Sequence, residues 1–249
     1  MNLRIQNVSL SIKRKCIVDN VSIIVNPGEV VGLMGPNGAG KTTTFNLAVG
    51  NIKPDKGEVL MNGKNITNLT LPVRSRLGLG YLTQEASIFR DLTVKENIDL
   101  ALQNSSYSRA VIRNRREQLI NEFNLNKFVD NYGYQLSGGE RRRCEIARAL
   151  TVGRKGPQYL LLDEPFAGID PIAVNDLKKL ILKLSDDGVG ILITDHNVRE
   201  TLLITDKSYV LSEGKILAYG SSSELANNPI VKEFLSLIHI SEPTRQSLI

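Results

Sequence analysis

The chain is predicted to be an α/β domain on a mixed-sheet core, with an antiparallel β portion at its start and a helical lobe in its middle. Three observations carry that prediction. The apolar stretch Val30-Val31-Gly32-Leu33-Met34 runs directly into Gly35-Pro36-Asn37-Gly38-Ala39-Gly40-Lys41-Thr42-Thr43, which fits the phosphate-loop pattern G-x-x-x-x-G-K-[ST]. A second short apolar run, Tyr159-Leu160-Leu161-Leu162, is bounded by Gly156-Pro157 and Pro165 and reads as a buried parallel strand ending in Asp163 and Glu164. Between them, the segment from Gln84 to Ser137 is richer in Arg, Asn and Glu and shows helical spacing.

The elements follow in order. Residues 3 to 34 alternate and pair as strands, with Asn26-Pro27-Gly28-Glu29 as the hairpin turn of an antiparallel portion. A helix runs from Lys41 to Val49, and Pro54-Asp55-Lys56-Gly57 turns the chain into a short strand, Glu58 to Met61. In the lobe, Val94-Ile98-Ala101 and Val111-Leu119-Ile120-Phe123 mark helices. Ser137 caps a further helix from Gly138 to Leu150. Pro171 starts a helix to Leu184, Val189 to Thr194 is a buried strand, and the last third returns through short strands and helices. The expectation is one domain over residues 1–236, with the lobe at about 85–150.

Composition sets outer bounds. With 249 residues, 41% hydrophobic and 23% charged, the chain can bury a sizeable core. No stretch reaches about 18 consecutive apolar residues, so nothing reads as a membrane span, and Met1-Asn2-Leu3-Arg4-Ile5 lacks a signal-peptide pattern. Cys16 and Cys144 are too few for a disulfide framework and read as free structural thiols in a reducing, cytoplasmic compartment. The net charge is +5, and much of the basic charge clusters between Arg109 and Arg116 and in Arg141-Arg142-Arg143. No aromatic residues interleave there, so these read as solvated helix faces and lobe salt bridges, with no nucleic-acid partner.

The chemistry is that of polyphosphate. Glycines let the loop backbone turn successive N–H groups into one concavity, and a helix beginning at Lys41 adds its positive end. Lys41 supplies a point charge for the terminal phosphates, and the Thr42 hydroxyl can ligate Mg²⁺. Asp163 and Glu164 at a strand's carboxyl end can divide labour, one holding metal and the other taking a proton from water. His239 has no such context and reads as an ordinary residue.

Taken together these segments resemble the ATP-binding subunits of ABC transporters, over about residues 3 to 236. Gly35 to Thr43 resembles the Walker A loop, Gln84 the Q-loop glutamine, and Leu136-Ser137-Gly138-Gly139-Glu140 the signature. Leu160 to Glu164 resembles Walker B with its catalytic glutamate, Ala167-Gly168-Ile169-Asp170 the D-loop, and His196 the switch histidine. The stretches Tyr81 to Arg90, Gly138 to Arg143, Phe166 to Pro171 and Thr194 to Leu202 are most similar to ATPases of lipopolysaccharide export in Gram-negative bacteria. ATPases of branched-chain amino acid importers share much of this core and are the alternative, ahead of a non-transport ABC ATPase.

The resemblance implies an ABC-type P-loop domain that hydrolyses ATP with Mg²⁺. It implies Glu164 as general base, His196 as γ-phosphate contact, and Thr42, Asp163 and Gln84 around the metal. It implies a homodimer with two ATP between subunits, where Ser137, Gly138, Gly139 and Glu140 complete the partner's site and Asp170 lies in the D-loop. Phe89 and Arg90 are the candidates for contact with integral membrane transporter subunits. Through these alone the chain would touch the membrane, peripherally at the cytoplasmic face of the inner membrane. Two departures stand out. Related ATPases usually carry an aromatic residue before the second strand for adenine stacking, yet none precedes Phe45 here and Ile12 occupies that place. The end at 237–249 lacks the acidic, aromatic character usual in the subfamily and reads as an atypical tail without fixed structure.

Overall fold

The computed structural model describes residues 1–103, 108–153, 156–228 and 231. The expected tail at 237–249 lies outside the described residues. Strand β1 (Leu3–Ile12) folds back on β2 (Lys15–Val25) through Lys13 and Arg14, whose φ values are 49° and 67°. Two successive left-handed residues match the right-handed twist of the flanking strands, so this is where the hairpin forms. The expected hairpin at Asn26–Glu29 is therefore corrected. That turn carries the chain into another sheet, where β3 (Val30–Met34) lies parallel to its neighbours. All five residues of β3 are buried, the pattern of a central parallel strand covered on both faces. Glu29 closes the turn by accepting from the Asn26 N–H at 3.0 Å.

Helix α1 (Lys41–Val49) follows β3. Strands β4 (Lys56–Met61) and β5 (Lys64–Asn65) then complete an antiparallel sheet in the order β2-β1-β4-β5. Helix α2 (Leu71–Arg76) leads into β6 (Leu79–Leu82) and the lobe, made of α3 (Val94–Gln103), α4 (Arg109–Glu122) and α5 (Gly138–Ala149). The chain returns through β7 (Tyr159–Asp163), α6 (Pro171–Asp186), β8 (Gly190–Thr194) and α7 (Val198–Leu202). It then adds β9 (Lys207–Ser212), β10 (Lys215–Ser221) and α8 (Ser222–Asn227). The second sheet has the order β10-β9-β3-β8-β7-β6 and is parallel except for the β9–β10 hairpin, giving the mixed core.

Strand alternation divides this sheet's two faces between two cores. Tyr159, Leu161 and Leu192 point to the side that packs α1 and the antiparallel sheet. Leu160, Leu162, Ile191 and Ile193 point to the side that packs α5, α6 and the lobe. In the lobe Val94, Ile98 and Leu102 bury one face of α3 at four-residue spacing, and Leu119 and Ile120 do so from α4. Val111, expected on that face, is 44% exposed, because the buried stripe of α4 begins only in its second half.

Candidate functional site

Strands β3, β8 and β7 are neighbours, and the carboxyl ends of all three open on the same edge of the sheet. That adjacency gathers residues that lie more than a hundred positions apart in the chain. From β3 the loop climbs to Gly40 and enters α1. Gly40 has φ 103°, and a Cβ there would fall 2.7 Å from the Ile17 carbonyl oxygen, so the loop can lie this close to β2 only without a side chain. A bond of 3.0 Å from the Gly214 N–H to the Ala39 carbonyl pins it from the other side. Asn37, Gly38 and the first turn of α1, including Thr42 and Thr43, bring N–H groups that have no partner within the helix. Lys41 spans the loop, its Nζ donating to the carbonyls of Gly35 at 2.8 Å and Pro36 at 3.0 Å. Burial lowers its pKa, while the charges of Glu164 and Asp163 act in the opposite direction.

Asp163 closes β7 and is fully buried. The Thr194 hydroxyl donates to its Oδ1 at 3.4 Å, whereas its Oδ2 has no hydrogen-bond partner among the described residues. Burial first, and the Glu164 charge second, push the Asp163 pKa up to about 6, against the pull of the Thr42 and Thr194 hydroxyls and Lys41. An orphaned buried carboxylate oxygen beside a threonine hydroxyl is a donor set that fits a hard divalent cation.

Glu164 is 5% exposed and has φ 51°, an unusual conformation for a non-glycine residue and one that turns its side chain out of the strand. Its N–H donates to the Thr194 carbonyl at 2.8 Å. Both carboxylate oxygens are held: His196 Nε2 lies 2.7 Å from Oε1, and Gln84 Nε2 donates to Oε2 at 2.8 Å. Gln84 reaches it because β6 pairs with β7, Leu82 opposite Leu162. A carboxylate fixed at both oxygens by neutral-capable donors, at the mouth of a phosphate loop, can orient water and accept its proton.

The signature lies elsewhere on the chain. Ser137 is the N-cap of α5 in a reciprocal capping box, its N–H donating to Glu140 Oε2 at 2.8 Å while its Oγ accepts from the Glu140 N–H at 3.4 Å. Glu140 thus has a local structural role. Asp170 likewise caps α6, accepting from the N–H groups of Ile172 at 3.1 Å and Ala173 at 3.0 Å. The two caps meet where a Cβ on Gly139 would come within 2.7 Å of the Ala173 Cβ. Among the described residues no hydrogen bond or ion pair links Ser137–Glu140 to the phosphate loop of the same chain.

Sequence reasoning missed Arg142. Its run reads as solvated helix faces and lobe salt bridges; it does form a salt bridge, yet it is 4% exposed, and its guanidinium joins three motifs. It donates to the carbonyls of Asp163 at 3.0 Å, Glu164 at 2.8 Å, Pro165 at 3.2 Å and Thr83 at 3.0 Å. It also pairs with Glu145 at 3.0 Å, and Glu145 in turn accepts from the N–H groups of Ser87 at 2.8 Å and Ile88 at 3.1 Å. The available signal was spacing, because position 142 falls in the buried stripe Gly139, Arg142, Ile146, Ala149 of α5.

Phe89, 45% exposed, is held from below. Asn97 is fully buried and exchanges bonds of 3.0 Å with the Phe89 N–H and carbonyl, while the Arg148 guanidinium lies 4.5 Å from the ring centroid. Arg90 is exposed beside it. Ile12 ends β1 opposite Lys15 and is 46% exposed. No helix among the described residues is long and apolar enough to cross a membrane.

A family model described as ABC transporter matches residues 18–167. The chain is 48% identical over 231 residues to the lipopolysaccharide export system ATP-binding protein LptB of Acidithiobacillus ferridurans, covering 93% of this chain and 95% of that protein. It is 47% identical over 231 residues to the protein of the same name from Escherichia coli strain K12, covering 92% and 95%. Among solved structures, it superposes on an ATP-binding cassette of an ABC transporter in its ADP conformation with TM-score 0.84 and 29% identity, covering 97% of this chain and 100% of that one. It also superposes on a dimeric bacterial ABC transporter cassette with TM-score 0.78 and 26% identity, covering 88% and 98%.

Proposed function

The chain belongs to the ABC transporter family as an ATP-binding, ATP-hydrolysing subunit, and we propose that it energises a lipopolysaccharide exporter. The observation that carries the cargo assignment is the near-half identity, running through nearly the whole length of both chains, to proteins named for lipopolysaccharide export. The site supports the reading chemically.

Phosphoryl transfer to water is catalysed by positioning and charge. The N–H groups of Asn37, Gly38 and Gly40 to Thr43 would cradle the phosphates, with Lys41 released from the loop carbonyls onto the terminal ones. Thr42 and Asp163, with Gln84 nearby, would hold Mg²⁺, which supplies neutralising charge to the phosphates when bound. Glu164 takes the proton of the attacking water. His196, 2.7 Å from Glu164, orients that carboxylate and would contact the γ-phosphate.

Within one chain Ser137 and Gly139 have no hydrogen bond to the phosphate loop among the described residues, which supports their serving another copy's site. A second copy would bring them across the nucleotide, giving a homodimer with two composite sites, an arrangement supported by the dimeric cassette of the same fold. Membrane subunits would dock at Phe89 and Arg90, so closure of the dimer moves them through the Gln84 segment. The protein would then sit at the cytoplasmic face of the inner membrane through those partners.

Affinity purification from solubilised membranes of the source cells, followed by identification of the co-purifying integral membrane proteins, tests the assignment. Recovery of lipopolysaccharide-export membrane subunits is the expected result. Recovery of proteins resembling amino acid permeases would transfer the chain to the importer class.

A further inference from the structure

The ladder between β7 and β8 ends with Asp163 opposite Thr194. Beyond it the backbones can no longer pair regularly, because Glu164 at φ 51° turns the chain out of strand geometry. One more backbone bond forms, from the Glu164 N–H to the Thr194 carbonyl at 2.8 Å. The next stitch is made by a side chain. Asp195, 5% exposed, accepts from the Phe166 N–H at 3.0 Å through Oδ2 and from the Asn197 N–H at 2.9 Å through Oδ1.

Those bonds bracket the hydrolytic pair from both sides. Glu164 is held at its own N–H and, two residues on, at Phe166. His196 sits between Asp195 and Asn197, which the same carboxylate ties together. The 2.7 Å contact between His196 and Glu164 therefore spans two loops that Asp195 fastens to each other.

We propose that Asp195 is a positioning residue for ATP hydrolysis: its carboxylate locks the segment after Glu164 to the loop carrying His196, so that base and histidine keep one geometry. The proposal rests on the reading of Glu164 as general base. Only a carboxylate offers an acceptor to both N–H groups here. An asparagine can accept from one, but presents its own NH₂ to the other and leaves a buried donor unpaired. A residue acting this way changes the rate of the step that uses Glu164 and leaves the phosphate loop, on another strand, unaffected.

The test compares Asp195→Asn and Asp195→Ala in the purified full chain, measuring kcat, KM and binding of a fluorescent ATP analogue. The expected result is a kcat lowered about tenfold in Asp195→Asn and further in Asp195→Ala, with nucleotide affinity within about threefold of the parent. A second measurement isolates the route. In a Glu164→Gln background, single-turnover hydrolysis of radiolabelled ATP should fall by a clearly smaller factor on adding Asp195→Asn than it does in the parent, because the base is already gone and only His196 remains to be positioned. An unchanged kcat, a loss of affinity matching the loss of kcat, an equal loss in both backgrounds, or failure of both variants to fold would overturn the proposal. Near-normal turnover of Glu164→Gln itself would instead overturn the general-base reading, so the two failures are distinct.

Discussion

Replacing Arg142 with methionine removes a side chain that ties Walker B, the Q-loop segment and α5 together. The substitution deletes four hydrogen bonds to carbonyls, three of them buried, and leaves Glu145, 2% exposed, without its cation. Two backbone N–H groups still reach Glu145, so its charge is not wholly stranded. Removing one partner of a buried pair generally destabilises by about 3–5 kcal/mol, a large part of the roughly 5–15 kcal/mol that holds a domain folded. Arg142→Lys should retain only part of the loss, on the order of 2 kcal/mol destabilising, because an ammonium cannot span four carbonyls fixed by a planar fork. The control is Arg143, whose pair with Asp176 at 3.3 Å is partly exposed on both sides; Arg143→Met should cost less than about 1 kcal/mol. Urea unfolding followed by circular dichroism measures all three. If Arg142→Met costs less than about 1 kcal/mol, Arg142 belongs with the solvated arginines after all and the clasp contributes nothing.

The two thiols should differ sharply. Cys16 is exposed and Cys144 buried, with burial pushing the Cys144 pKa up to about 12, so a thiol reagent at neutral pH should titrate one group in the native protein and two after unfolding. Because that pKa is raised on folding from 9.0, the native state keeps a proton that the unfolded chain releases; stability falls as pH rises from about 9 toward 12, and Cys144→Ala should flatten that slope in denaturation midpoints. At the exposed end of β1, Ile12→Tyr should tighten ATP several-fold and raise preference for ATP over GTP with little change in turnover, since stacking on a base is worth roughly 1–3 kcal/mol. Unchanged titrations with both nucleotides would place Ile12 away from the base. Ser137→Arg should abolish hydrolysis while leaving nucleotide binding intact, and mixing it with Lys41→Ala subunits should restore at most one composite site per dimer. Full activity of the serine variant alone would count against contact in trans.

The parts of the site written in short, contiguous patterns were legible in the sequence. The phosphate loop needs glycines where the backbone turns close to β2, and β7 is apolar up to its last residue, Asp163, because both its faces are covered. What those motifs do to one another depends on strand order, which no local pattern states. The same limit explains the misplaced hairpin. Asn26–Glu29 has turn chemistry as good as any, but whether the chain returns to the same sheet is decided by what buries Val30–Met34, and only the absence of alternation in that run hinted at a central strand. The roles of Arg142 and Asp195 are not legible in the sequence for a related reason. Charged residues are solvated by default, and each escapes that default through carbonyls or N–H groups supplied by segments distant in sequence. Glu140 shows the converse, a residue grouped with the signature whose observed bonds are those of a helix cap.

Hydrolysis depends on Glu164 as the proton acceptor at an ATP site closed by a second copy. Glu164→Gln keeps the size of the side chain and its reach to Gln84 and His196 while removing its basicity. Steady-state turnover of this variant, measured together with its mass by size exclusion in saturating Mg²⁺ and ATP, should fall at least about a hundredfold while the protein accumulates as a nucleotide-bound dimer. Turnover within about threefold of the parent, or a monomer throughout, would contradict it.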